Sequence, residues 1–128
     1  MIGSNAFNYI NLLDKAADAS WKRNEILANN IANVDTPGYK RKDVQFESYL
    51  QSALLGDNSL DSRVADINLK SLDATVYTDN VSASYRLDGN NVDIDTETAK
   101  LAENQIRYNA LLDSMTQEFN RIRSVLAK

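Results

Sequence analysis

Cysteine and histidine are both absent from this 128-residue chain, proline occurs once, and glycine occurs four times. Without Cys there are no disulfides, no thiolate chemistry and few routes to a structural zinc site. Without His the commonest general base and metal ligand is missing. Any catalysis would rest on carboxylates, Lys or Tyr. Long apolar runs are lacking as well, since nothing approaches the ~20 residues of a membrane-spanning helix. The first ten residues hold no basic segment followed by a continuous apolar stretch, so no cleavable secretory signal is expected. Positive charge is in deficit, with 14 basic against 18 acidic residues and a net charge of −4. That balance speaks against a nucleic-acid-binding module and against attraction to an anionic membrane surface.

What remains is a composition of 43% hydrophobic and 25% charged residues, that of a folded protein the size of one domain. Pro37, Gly38, Gly56 and Gly89 punctuate the chain, and three parts are expected: a helix over 4–34, a turn with a mixed insert over 35–91, and a helix over 96–127.

In the first part Ile10, Leu13, Ala17, Ser20, Asn24, Leu27, Ile31 and Val34 recur in alternating three- and four-residue steps. This is a heptad-like seam flawed at Ser20 and Asn24, and Trp21 widens its apolar face. Ser4 or Asn5 can cap the start. Asn24 could fix helix register, but with Ser20 also polar the seam is expected to drift toward solvent there. Thr36 is pushed toward an extended conformation by Pro37, so the helix must stop nearby. A turn starting at Thr36 would place Pro37 at its second corner and Gly38 at the third, where positive φ is needed.

In the insert, Phe46, Tyr49, Leu50, Ala53 and Leu54 have helical spacing, with Gly56 as a stop. Asp57 to Asp66 reads as a loop. Ile67 with Leu69, then Leu72, Ala74 and Val76, then Val81, Ala83, Tyr85 and Leu87 alternate as short strands, and Val92 with Ile94 as another. Lys40-Arg41-Lys42 reads as a solvated basic loop.

The last part carries Leu101, Gln105, Tyr108, Leu112, Met115, Phe119, Ile122 and Leu126 in 4-3 alternation, with Leu111 and Val125 broadening the stripe. Asp95 or Thr96 can cap it. The fold class expected is mainly α. The two long amphipathic helices pair as a coiled-coil-like antiparallel hairpin, with a short helix and an irregular β-rich middle. A two-helix hairpin leaves much of so wide a stripe uncovered, so Trp21, Leu111 and Val125 are candidates for contacts between subunits unless the insert folds over them.

The stretch ILANNIANVDTPGYKRKDVQFE, Ile26 to Glu47, resembles the N-terminal signature of the flagellar rod and hook axial proteins. Its core is Asn29-Asn30-Ile31-Ala32-Asn33 followed by Thr36-Pro37-Gly38-Tyr39. LDGNNVDID, Leu87 to Asp95, resembles the proximal-rod members among them. The resemblance covers both termini and not the middle. It implies a structural, non-catalytic subunit without cofactor or metal. Such a subunit is exported unprocessed through the flagellar type III apparatus. It assembles helically with copies of itself and other rod and basal-body proteins, in the rod that crosses the periplasm or cell-wall zone. The rod links the membrane ring to the distal rod and transmits torque. The resemblance also implies terminal regions that order on assembly. Asn29, Asn30, Asn33, Pro37, Gly38 and Tyr39 would shape the exit from the first helix, and Asp88, Gly89, Asn90 and Asp93 the entry to the last. For Asn29 and Asn30 plain solvent exposure competes with contacts to a neighbouring subunit's backbone.

Other classes fit parts of the pattern. Heptad seams alone suit a cytosolic helical adaptor or export chaperone equally well. Asp88, Asp93 and Asp95 could be a carboxylate pair for glycoside cleavage, although Asp is common in turns and caps. An EF-hand loop would need Gly at its sixth position, whereas Gly89 directly follows Asp88.

Overall fold

The computed structural model describes residues 2–80 and 86–127, with side chains from Phe7 onward. Helix α1, Ile2–Ala32, and helix α4, Ile94–Leu126, form the frame. Between them lie β1 (Lys42–Gln45), α2 (Glu47–Leu54), α3 (Leu60–Asp66), one 3-10 turn (Leu69–Ser71) and β2 (Thr75–Thr78). The long helices are antiparallel: Asn30 near the end of α1 meets Glu97 at the start of α4, and Ser20 meets Asn104.

Helix α1 buries two faces. Ile10, Ala17, Ser20 and Leu27 are buried in register along the stripe toward α4, as the 3-4 spacing predicts. Ala19, a third of a turn round, belongs to a second cluster with Val44, Phe46 and Leu72 from the insert, and Leu12, Ala16 and Ile26 border it. The insert therefore covers one flank of α1 and leaves the other bare. Strands β1 and β2 pair antiparallel, Val44 opposite Val76.

Several expectations are corrected. Helix α1 begins at Ile2, ahead of the anticipated cap, and gives way to turns after Ala32. The polar stretch Asp57 to Asp66 is not all loop. Ser59 accepts from the Ser62 amide and starts α3, whose Val64 is buried, so a cap and one apolar anchor override the polar composition. Ile67 ends α3 in extended backbone and Leu69 opens a 3-10 turn, where Asn68 accepts from the Lys70 amide in place of a strand partner. Val92 is buried outside any strand, and Ile94 opens α4. Asp93, rather than Asp95 or Thr96, caps α4 by accepting from both their amides at 3.0 and 3.4 Å. Strand β1, placed on the basic run, was not anticipated. The strand expected over Val81, Ala83 and Tyr85 lies outside the described residues. Helix α2 and its end before Gly56 match the spacing. No helix among the described residues is long and apolar enough to cross a membrane.

Candidate assembly interface

The chain leaves α1 and enters α4 through two glycine turns that touch. The Tyr39 amide donates to the Thr36 carbonyl at 3.3 Å, so the turn starts at Thr36 and Gly38 takes φ +73°, as Pro37-Gly38 predicts. Gly89 has φ +79°, and a Cβ there would lie 3.7 Å from the Gly38 Cα. The Gly38 amide donates to the Asp88 carbonyl at 2.7 Å.

Asn90 is fully buried between the turns. Its Nδ2 donates to the carbonyls of Asn33, Val34 and Thr36 at 2.9, 3.0 and 2.8 Å, and its Oδ1 accepts from the Val92 amide at 2.7 Å. The last carbonyls of a helix have no intrahelical partner. Here one distant side chain adds a donor to three carbonyls that follow α1, alongside the Thr36 and Tyr39 amides and Arg86, and so ties it to the approach to α4. Asn33 Nδ2 turns back to the Asn29 carbonyl at 2.8 Å.

Asn30 is also fully buried, and it serves its own chain. Its carboxamide pairs with the Lys42 backbone as a strand would, accepting at 2.9 Å and donating at 2.7 Å. It donates to Glu97 at 3.1 Å and accepts from the Tyr39 hydroxyl at 3.0 Å. Burial raises the Tyr39 pKa. Of the two readings of Asn30, solvent exposure is corrected by its burial, and the carboxamide's backbone contact is to Lys42 of the same chain. Asn29 is exposed.

Arg41 is buried, against the expectation of a solvated loop. Its Nε donates to Glu97, its Nη1 to Asp79 and its Nη2 to Asp43, the last two at 3.0 Å. Burial opposes the charge, but these carboxylates outweigh it and raise the Arg41 pKa. Asn91 closes the site, accepting from the Arg41 amide and donating to the Asp79 carbonyl, both at 2.7 Å. Asp88, Asp93 and Asp95 are not gathered into a cleft. Asp88 pairs with Arg86 at 3.1 Å, and Asp93 is a helix cap.

Farther along the hairpin, Ser20 and Asn104 are buried partners. Ser20 Oγ donates to Asn104 Oδ1 at 2.9 Å, and Asn104 Nδ2 donates to the Ser20 carbonyl at 2.7 Å. Ser20 therefore points inward, and the seam does not drift to solvent. On the insert side Arg23 donates to the Val44 carbonyl at 2.7 Å and to Glu47 at 2.6 Å, and Arg107 reaches Glu47 at 2.9 Å. The Arg23 guanidinium holds the Glu47 carboxyl below the usual range.

The buried and half-buried positions of α4 that follow one 4-3 alternation are Glu97, Leu101, Asn104, Tyr108, Leu111, Met115, Glu118 and Ile122, with Lys100 and Ser114 half-buried beside them. They share Leu101, Tyr108, Met115 and Ile122 with the predicted stripe. Asn104, Leu111 and Glu118 take the places expected for Gln105, Leu112 and Phe119. The predicted stripe mixed the buried seam with its outer flank, because an apolar count cannot see a polar residue that is paired. Leu112, Phe119, Val125 and Leu126 are exposed, Phe119 at 51% and Leu126 at 80%. Trp21 is exposed at 55% and lies 5.8 Å from Tyr108. Ile31, Val34 and Leu13 are half-buried. The residues that sequence reasoning passed over are Arg41, Asn91, Glu97 and Asn104. For the last two a signal existed: both lie in phase with Leu101 and Tyr108.

A family model described as flagella basal body rod protein matches residues 15–40, from mid α1 through the Pro37-Gly38 turn. The flagellar basal body rod protein FlgB of Bacillus subtilis (strain 168) is 37% identical over 116 residues, covering 89% of each chain. FlgB of Borrelia hermsii is 34% identical over 128 residues, covering 91% of this chain and 94% of its own. FlgB of Escherichia coli (strain K12) is 33% identical over 114 residues, covering 82% and 83%. A helical hairpin with such relatives defines a structural component of the flagellar basal body rod. Within that class the chain belongs to the FlgB family.

Proposed function

We propose that the chain is a proximal-rod subunit whose hairpin packs into a helical wall with copies of itself and other rod and basal-body proteins. The observation that carries this reading is the uncovered flank of α4. Leu112, Phe119 and Leu126, seven residues apart and so on one side of the helix, are exposed beside an inner edge that is already packed, and such an apolar stripe calls for further protein surface. The insert does not cover them, and its buried apolar residues Val44, Phe46 and Leu72 pack with Ala19 of α1. In the assembled rod the subunit links the membrane ring to the distal rod and transmits torque. The buried Asn90 and Arg41 networks suit that load, because they lock both helices and the insert into one body. Export runs through the flagellar type III apparatus. Membership in a rod family favours this reading over a cytosolic adaptor or export chaperone. Deletion of the gene tests it: loss of swimming and no rod beyond the membrane ring are expected, and motile cells with intact rods would overturn it.

A further inference from the structure

A groove of about 270 Å³ opens between the long helices on the flank away from the insert, lined by Trp21, Asn24, Asn104, Gln105, Tyr108 and Asn109. Asn24 Oδ1 is buried there with no hydrogen-bond partner among the described residues. A buried acceptor left unmade is costly, and a donor arriving from outside would offset that cost. Trp21 and Tyr108 form one wall, ring centroids 5.8 Å apart and tilted at 47°. Gln105 and Asn109, both exposed, add carboxamide oxygens at the rim. Asp18 and Glu25 lie three residues before and four residues after Trp21, on the same side of α1. Both are exposed, and neither forms an ion pair with another described residue. Lys22 stands four residues after Asp18 and three before Glu25, beside both on the helix surface, and forms no ion pair with either among the described residues.

We propose that this groove receives an arginine side chain from another polypeptide. A guanidinium is planar and stacks on an indole face, and it carries several donors in a rigid fork. The Asn24 carboxamide, whose oxygen is now covered, would turn into the groove so that Oδ1 accepts one N–H, the plane would rest on Trp21, and Asp18 and Glu25 would attract the charge. The proposal deepens the rod-subunit reading by naming the chemistry of one contact, and it is tested without cells.

Trp21 is the sole tryptophan, so its fluorescence reports the groove directly. The full chain is titrated with N-acetyl-arginine amide and, separately, with its neutral isostere N-acetyl-citrulline amide. A saturable change in Trp21 emission is expected with the arginine compound and not with citrulline. Asn24→Leu, checked for helicity by circular dichroism, should weaken binding about tenfold by removing the acceptor. Asn24→Asp should tighten it. Equal responses to both compounds, an unsaturable response, or unchanged arginine binding by Asn24→Leu would overturn the proposal, as would weakening by Asn24→Asp. Failure here would leave the deletion phenotype untouched, so the two readings fall separately.

Discussion

The Gly38 amide donates to the Asp88 carbonyl at 2.7 Å, joining the turn that leaves α1 to the turn that approaches α4. Both glycines hold positive φ, at +73° and +79°. Gly38→Ala and Gly89→Ala should each cost about 1–2 kcal/mol from backbone strain alone. The added Cβ meets nothing within 4 Å at Gly38 and only ordinary contact at Gly89. Urea unfolding of the two variants should therefore give similar losses.

Asn90 is a stronger test of the same junction. Asn90→Ala removes the Nδ2 donor that the carbonyls of Asn33, Val34 and Thr36 share with the Thr36 amide, Arg86 and the Tyr39 amide, and takes the Oδ1 acceptor from the buried Val92 amide, at about 1–3 kcal/mol. Asn90→Asp keeps the shape and points a carboxylate at those carbonyls, so it should destabilise more than Asn90→Ala. The comparison is read from unfolding midpoints near neutral pH.

Arg41 and Glu97 are a buried pair with side-chain exposures of 7% and 1%. Glu97→Leu leaves Arg41 with fewer counter-charges and should cost roughly 3–5 kcal/mol, whereas the double variant Arg41→Met/Glu97→Leu should lose much less than the sum of its parts. A double-mutant cycle in urea checks this.

Asn24 sets the opposite sign. Replacing its unpartnered buried oxygen by an apolar group, Asn24→Leu, should raise the melting temperature, since the position lies on the seam and its desolvation is uncompensated. A seam residue that stabilises when made apolar is one retained for something other than the fold of the single chain.

Acid should loosen the insert from α1. The Arg23 guanidinium depresses the Glu47 pKa below its ordinary 4.5. Glu47 therefore stabilises the fold above about pH 4.5, and that contribution is lost as pH falls through the depressed folded value. Glu47→Gln should remove this part of the acid-side decline, which thermal melts between pH 6 and 3 would show.

The two long helices were legible because their apolar positions repeat every three to four residues, and Pro37-Gly38 declared its own turn. The α4 seam was legible only in part. Asn104 and Glu97 sit inside it as polar residues, and polarity reads as exposure until the partners, Ser20 and Arg41, are known. Arg41 was hidden for the same reason, since a basic tripeptide looks solvated when its carboxylates come from Asp79 and Glu97, far along the chain. Strand β1 depends on the pairing of Val44 with Val76 across the insert, a contact without local periodicity. The family motif residues Asn30, Asn33, Gly38, Gly89 and Asn90 were found as letters. Their physical role, joining helix ends, required the fold.

The most direct measurement is complementation of a deletion strain with the double variant Leu112→Asp/Phe119→Asp, both residues being exposed in the single chain. Circular dichroism of the purified variant should match the parent, because neither side chain is in the core. Cells carrying it should not swim and should build no rod beyond the membrane ring. Normal rods and swimming with two carboxylates on that stripe would contradict the account.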